Sequence, residues 1–72
     1  MNKDNLIRMA NQIGQFYESM PDRAEAMRDI VTHLKKFWDP RMRKAFLERI
    51  DSGEHTLSPL VLSAVQAHRA ML

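Results

Sequence analysis

The chain has 72 residues, no cysteine, and a formal net charge of +2 that results from eleven Lys and Arg against nine Asp and Glu. A chain of this length forms at most one domain, predicted over residues 1–72, and it buries only about 60% of the surface that its unfolded form exposes. The small net charge does not by itself argue for nucleic-acid binding. The lack of cysteine and of a long apolar run predicts a cytoplasmic protein without disulfides, signal peptide or membrane span.

The sequence favours helices throughout, and the first of them is predicted over about residues 4–19. Only two glycines and three prolines interrupt the chain, and no segment shows the alternating β-branched pattern of a strand. We therefore predict an all-α protein, a small four-helix domain in which an antiparallel helical hairpin is followed by two short helices. In the first helix the apolar residues recur on one side at the helical spacing, and they are Leu6, Met9, Ala10, Ile13, Phe16, Tyr17 and Met20.

The second helix is predicted over about residues 23–38. Pro21 disfavours helix at the residue before it and Asp22 can cap a new helix, so the chain stops and restarts within a short loop. A loop this short makes the first two helices an antiparallel pair. The inward side of the second helix is expected to comprise Ala26, Met27, Ile30, Val31, Leu34, Phe37 and Trp38.

A corner is predicted where FWDPRMR, residues 37–43, joins the second helix to a third. Asp39 is a good N-cap residue and Pro40 is favoured at the first position of a helix, so one helix ends here and another begins. We expect the turn to point Phe37 and Trp38 into the core, where burying each ring contributes about 2–3 kcal/mol. The predicted core is centred on Trp38, Phe37, Phe46, Ile13 and Leu34.

The third helix is predicted over about residues 40–51, and its basic residues divide into two groups. Arg41 and Lys44 point outward. Arg43 lies on the inward side, so its aliphatic stem should run along the core and its guanidinium should pair with Asp39, four residues earlier. We therefore expect Arg43 and Asp39 to hold the corner. The inward apolar residues of this helix are Met42, Phe46, Leu47 and Ile50.

The fourth helix is predicted over about residues 59–71, with Ser58 as its cap and Pro59 at its first position. Two apolar stripes run along it, so it is either wedged among the other three helices or exposes a patch for another chain. We take the second stripe as a candidate partner contact. The first stripe comprises Val61, Leu62, Val65 and Leu72, and the second comprises Leu60, Ala64, Ala67 and Met71.

No motif of an active site or a metal centre occurs in the sequence. There is no phosphate-binding loop, no Gly-rich dinucleotide fingerprint and no Cys/His metal spacing. Asp29 and His33, four residues apart on one helix, could supply half of a metal site, and the alternative is a boundary histidine hydrogen-bonded to Asp29. We predict no catalytic residue, no metal and no cofactor in this chain, and therefore no enzymatic activity of its own.

A local positive zone spans residues 35–49, where six basic residues meet only two acids. It has three interpretations: a solvated face, a docking surface for an acidic protein, or a nucleic-acid contact, for which few base-reading side chains are present. The candidate partner contacts in this zone are Lys36, Arg41 and Lys44, to which we add two polar residues of the first helix that the fold alone does not require, Asn11 and Gln12.

Three segments of the chain carry a resemblance to a known family. They read LIRMANQIGQFYES, PDRAEAMRDIVTHLKKFWDPRMR and LSPLVLSAV, and together they cover about residues 5–66. In these segments the sequence resembles the small delta subunit of soluble NAD-dependent formate dehydrogenases. The most specific matching positions are Met9, Ala10, Asn11, Gln12 and Ile13, followed by His33, Leu34, Phe37, Trp38, Pro40, Arg41, Met42 and Arg43.

The resemblance implies a role inside a larger enzyme. In that family the large subunits carry the molybdenum or tungsten cofactor, iron–sulfur clusters and flavin, and the delta subunit supports assembly and quaternary structure without catalysis. The resemblance thus implies a non-catalytic accessory subunit that binds the large catalytic subunit of formate dehydrogenase. Two alternatives stay open on the residues alone: a small nucleic-acid-binding module that uses residues 35–49, and a self-associating helical module.

Overall fold

The computed structural model describes residues 2–72, which form four α-helices, a short 3₁₀ helix and no strand. The helices are α1, Lys3–Tyr17; α2, Arg23–Phe37; α3, Pro40–Asp51; and α4, Pro59–His68; the 3₁₀ helix follows at Arg69–Met71. The predicted all-α fold with four helices is confirmed. The last helix is shorter than predicted because its final residues tighten into the 3₁₀ helix. No helix in the described part of the chain combines the length and the apolar character needed to cross a membrane.

A polar side chain caps the start of each α-helix. Asp22, Asp39 and Ser58 accept hydrogen bonds from backbone N–H groups three residues later, at 3.2, 2.9 and 3.4 Å, as the sequence predicts. Asn2 caps α1 in a similar way, with its Oδ1 2.9 Å from the amide of Asp4. These caps satisfy backbone donors that the first helical turn leaves without intrahelical partners. The helix starts therefore follow from local sequence.

The hydrophobic core lies where the four α-helices meet. α2 packs most extensively against α4, and α1 contacts each of the other three α-helices. Trp38 and Phe46 meet edge to face in the core, with ring centroids 5.3 Å apart. Ile13, predicted near the centre, packs at the edge of the core and is partly buried. The buried cluster comprises Leu6, Ile7, Ala10, Ile30, Val31, Leu34, Trp38, Phe46, Leu57, Leu60, Val61, Ala64 and Val65.

α1 and α4 approach each other closely at Gly14. A β-carbon at this position would overlap Cγ2 of Val61 and would lie 3.6 Å from Oγ of Ser58. Glycine in a helix interior costs about 1 kcal/mol relative to alanine. The close approach of α4 gives a packing reason for a glycine at this helical position.

Ion pairs join the last turn of α3 to α1 and to the 3₁₀ helix. Arg49 contacts the carboxylate of Asp4 near the start of α1. Arg69 donates two hydrogen bonds to the carboxylate of Asp51, at 2.8 and 2.7 Å. Both pairs lie at the surface, where water screens the attraction, so each adds little to stability on its own.

Phe37 and Phe16 do not lie in the core, contrary to the prediction. Phe37 is 68% exposed and Phe16 is 79% exposed, whereas Trp38 is 6% exposed. Trp38 is the C-cap residue of α2, and its extended backbone leaves the helical path and carries the indole into the core. The Phe37 ring stays on the helix surface, where its centroid lies 4.7 Å from that of His33. Phe16 follows the exposed Gln12 by one helical turn, which places its ring on the polar side of α1.

Candidate functional site

Two of the three histidines, His33 and His55, have local contacts. Within residues 2–72, no group of three or more His, Cys, Asp and Glu side chains is placed to hold a metal ion. His33 packs its ring against Phe37, and no hydrogen bond joins it to Asp29 in the described part of the chain. Nδ1 of His55 accepts a hydrogen bond from the backbone N–H of Leu57 at 3.2 Å. This bond shapes the loop that leads into α4.

Four basic residues of the positive zone extend into solvent. Lys35, Lys36, Arg41 and Lys44 are all exposed. The ion pairs formed within residues 2–72 are Lys3–Glu48, Asp4–Arg49 and Asp51–Arg69, and none of them involves these four side chains. The four cations are therefore available to an acidic partner.

Arg43 lies at the edge of the core, as predicted, but it does not pair with Asp39. The residue is partly buried, and its Nε and Nη1 atoms have no hydrogen-bond acceptor within residues 2–72. Oδ1 of Asp39 instead accepts a hydrogen bond from the backbone N–H of Met42 at 2.9 Å. The predicted pair fails because capping directs this carboxylate at the backbone of the first turn.

Asn11 ties α1 to the loop that precedes α4. Its Nδ2 donates a hydrogen bond to the backbone oxygen of Thr56 at 3.0 Å, and its Oδ1 accepts one from the backbone N–H of Ser58 at 2.8 Å. The prediction that the fold does not require Asn11 is therefore wrong, because one amide satisfies two backbone groups of the loop. Gln12, the next residue, is exposed, as expected of a surface position.

Half of the second apolar stripe of α4 lies inside the domain. Leu60 is 3% exposed and Ala64 is fully buried, so these two residues cannot form the exposed patch that the sequence predicts. α4 packs against both α2 and α1, and this is why it is apolar on more than one side. Of the same stripe, Ala67 is exposed and Met71 is 37% exposed. The packing of α4 against α1 and α2 corresponds to the first of the two interpretations for its two buried members, Leu60 and Ala64.

α1 and α2 together build an exposed aromatic surface that the sequence pattern does not predict. A groove of about 310 Å³ is lined by Ile13, Phe16, Tyr17 and His33. The rings of Phe16 and Tyr17 meet edge to face, with centroids 5.2 Å apart. We define the aromatic face as these four residues together with Phe37. The sequence holds a signal for Phe16 alone, which lies one helical turn after the polar Gln12.

A second depression continues the aromatic face along α2. Its volume is about 180 Å³, and it shares Tyr17 and His33 with the first groove, so the two are contiguous. Its rim is charged, with Lys36 next to Phe37 in the chain and Asp29 two turns earlier on the same helix. Apolar rings surrounded by a charged rim are typical of protein–protein interfaces. The lining residues are Tyr17, Asp29, Thr32, His33, Lys36 and Phe37.

Comparison with known proteins assigns the chain to a family. A family model for the NADH-dependent formate dehydrogenase delta subunit, FdsD, matches residues 5–65. This range contains α2, α3 and most of α1 and α4, together with the aromatic face and the corner between α2 and α3. Neither a curated protein nor a solved structure matches the chain. Because the matched residues span well over half of its length, the chain belongs to the FdsD family of NADH-dependent formate dehydrogenase delta subunits.

Proposed function

We propose that the chain is a non-catalytic accessory subunit that docks on the large catalytic subunit of a formate dehydrogenase. In this role it stabilises the quaternary structure or assists the maturation of the catalytic subunit. The observation that carries the proposal is the family match over residues 5–65, which includes most of the helical domain. A delta subunit is by its description one of several chains, so a partner chain is expected.

The exposed cations of the positive zone support a docking role. Lys36, Arg41 and Lys44 are exposed and form no ion pair within residues 2–72. Charged groups at the rim of an interface speed association and fix the orientation of the partners more than they add to affinity. We therefore propose that these three residues guide the chain to an acidic surface of the catalytic subunit.

Purification of the formate dehydrogenase complex with and without this chain tests the proposal. Without the chain, we expect the complex to elute as a smaller or heterogeneous species and to lose activity on storage or during maturation. Adding back the wild-type chain should restore the elution volume. Unchanged assembly and activity after deletion would count decisively against an accessory role.

Charge reversal separates the contribution of the positive zone. Arg41→Glu with Lys44→Glu should slow association by about tenfold or more at low salt, because electrostatic steering is reversed. The matched control is Arg23→Glu with Arg28→Glu, which makes the same charge change at exposed residues outside residues 35–49. Nucleic-acid binding by the same zone would instead appear as retention on an arbitrary duplex that weakens steeply with salt.

A further inference from the structure

We propose that the aromatic face is the principal docking site for the catalytic subunit. The segment that it takes is amphipathic, with apolar side chains that enter the groove between Phe16 and His33 and a carboxylate that meets Lys36. This inference rests on the proposed function, and it adds the surface and the chemistry of the contact.

The fold does not use the two phenylalanine rings of the aromatic face. Phe16 is 79% exposed and Phe37 is 68% exposed, and the other exposed large apolar residue, Met71, is 37% exposed. Within residues 2–72 every other large apolar side chain is at least partly buried. Aromatic rings that stay close together in solvent are typical anchors of protein–protein interfaces. The burial that these rings lack within the chain is therefore supplied by another molecule.

The aromatic face has the shape that an apolar segment needs. The groove of about 310 Å³ and the depression of about 180 Å³ share Tyr17 and His33, and together they extend from Ile13 to Phe37. The rings of Phe16 and Tyr17 contact each other edge to face, with centroids 5.2 Å apart. The rings of His33 and Phe37 pack with centroids 4.7 Å apart. Rings positioned before binding lose little rotamer freedom when a partner covers them.

The charge on the rim decides the chemistry of the occupant. Lys36 lines the depression beside Phe37. Lys35 and Arg41 lie within four residues of Phe37 in the sequence, and both are exposed. None of these three cations forms an ion pair within residues 2–72. Asp29 is the one carboxylate that lines either depression. Lys36 and Asp29 balance each other among the lining residues, but within four residues of Phe37 in the sequence three exposed cations, Lys35, Lys36 and Arg41, outnumber one exposed acid, Asp39. This excess of positive charge favours a partner segment with Asp or Glu beside its apolar anchors.

A second copy of this chain is a poorer occupant of the aromatic face. Two copies placed face to face would bring the same excess of Lys and Arg to both sides of the contact. Like charges that face each other across an interface cost free energy. An acidic segment of the catalytic subunit has the complementary charge instead, and a delta subunit is by its description one of several chains.

Titration of the full-length chain into the formate dehydrogenase complex that lacks it tests the inference by calorimetry. Phe16→Ser and Phe37→Ser should each weaken binding by about tenfold or more, as truncation of an interface anchor does. Lys36→Glu should also weaken binding, and the loss should shrink at high salt. Phe16→Leu and Phe37→Leu keep an apolar side chain and should each lose less affinity than the corresponding Ser variant.

Met71→Ser provides the matched control, because Met71 is an exposed apolar residue outside the aromatic face. Its affinity should equal that of wild type. If the wild-type chain does not bind at all, the proposed function itself fails. If wild type binds and the Phe→Ser variants bind equally well, the aromatic face is not the docking site although the proposed function stands. The inference also fails if these variants change only the chain's own oligomeric state.

Hydroxyl-radical footprinting of the wild-type chain gives a readout that needs no variant. Phe16, Tyr17 and Phe37 should be modified rapidly in the isolated chain and be protected in the complex. Met71 should be modified in both, since it lies outside the proposed contact. Equal modification of the three rings in the isolated chain and in the complex would overturn the inference.

Discussion

Arg43 packs its side chain at the edge of the core without an acidic partner. Its Nε and Nη1 atoms are buried and meet no acceptor within residues 2–72. Buried donors without partners cost about 1–3 kcal/mol, whereas the aliphatic stem stabilises the corner by packing. Arg43→Ala removes the stem, and we expect it to lower the melting temperature by about 4–8 °C for each kcal/mol lost.

Arg43→Met is the matched variant for this residue, because it keeps most of the aliphatic volume and removes the unpaired donors. It should melt at or above the wild-type temperature, as measured by circular dichroism. If it falls as far as Arg43→Ala, the guanidinium itself stabilises the corner. If Arg43→Ala weakens docking and leaves the melting temperature unchanged, Arg43 is a partner-binding residue like Arg41 and does not stabilise the corner.

The ion pair between Asp51 and Arg69 predicts a small loss of stability in acid. The hydrogen bonds from Arg69, aided by its charge, hold the pKa of the Asp51 carboxyl below its usual value, and the same contact raises the pKa of Arg69. A lowered folded-state pKa stabilises the protein above the unfolded-state pKa of about 4, and this contribution is lost as the pH falls through the folded-state pKa. Asp51→Asn should therefore melt slightly below wild type at neutral pH.

The melting temperatures of Asp51→Asn and wild type should converge as the pH falls from about 4 through the lowered folded-state pKa, because only below that pKa is Asp51 protonated in the folded wild type as well. Glu54→Gln is the control, since Glu54 is an exposed acid that forms no ion pair within residues 2–72. The difference in melting temperature between Glu54→Gln and wild type should not change with pH in this way. A difference between Asp51→Asn and wild type that stays constant from acid to neutral pH would contradict the assignment.

At the scale of elements, Asn11 predicts a measurable link between α1 and the loop before α4. Asn11→Ala removes two hydrogen bonds to the loop, and we expect the free energy of unfolding to fall by about 1–2 kcal/mol. Gln12→Ala, at the exposed neighbouring position, should change it by less than about 0.5 kcal/mol. Hydrogen exchange gives a local readout, because the N–H of Ser58 donates to Asn11 and should exchange faster in Asn11→Ala alone. Unchanged exchange at Ser58 would show that the tie does not form in solution.

The contact between α1 and α4 makes a prediction about Gly14. Gly14→Ala should lower the free energy of unfolding, because overpacking costs about 1–3 kcal/mol and opposes the gain of about 1 kcal/mol in helix propensity. Val61→Ala removes the methyl group that the new β-carbon would overlap. The double variant should therefore be less destabilised than the sum of the two single changes, as measured by urea unfolding. Strict additivity would mean that the helices do not meet at Gly14.

For the whole molecule, one continuous core predicts one unfolding transition. The buried cluster includes residues from all four α-helices, and Trp38, the single tryptophan, is 6% exposed within it. Tryptophan fluorescence reports the corner and far-ultraviolet circular dichroism reports all helices. Both signals should change at the same urea concentration, as expected for a small two-state domain. A fluorescence transition at a lower concentration would show that the corner opens before the helices.

The sequence predicts the elements of this fold well because their determinants are local. Asp22, Asp39 and Ser58 cap helices through amides three residues away, so the starts of three helices need no tertiary information. The choice between Phe37 and Trp38 is different. Trp38 is the C-cap residue of α2, so its side chain does not follow the helical spacing. Packing against the neighbouring helix then determines which of the two rings enters the core. Periodicity alone assigned both rings to the core, and one of them is exposed.

Of the candidate site, only the exposure of the basic residues could be predicted from the sequence. Arg41 and Lys44 are exposed, as outward positions of an amphipathic helix are expected to be. Leu60 and Ala64 were predicted at the surface, but α4 is covered on two sides, and the sequence of one helix does not show how many neighbours it has. The aromatic face could not be predicted for the same reason, because it exists only where α1 and α2 lie together.

The last turn of α3 forms ion pairs with two residues that are far apart in the sequence, Asp4 and Arg69. Asp4 reaches this turn through Arg49, and Arg69 reaches it through Asp51. Residues near the start of α1 and in the 3₁₀ helix therefore both form ion pairs with the last turn of α3. Fraying of this single turn would therefore break both ion pairs and release the start of α1 and the 3₁₀ helix together.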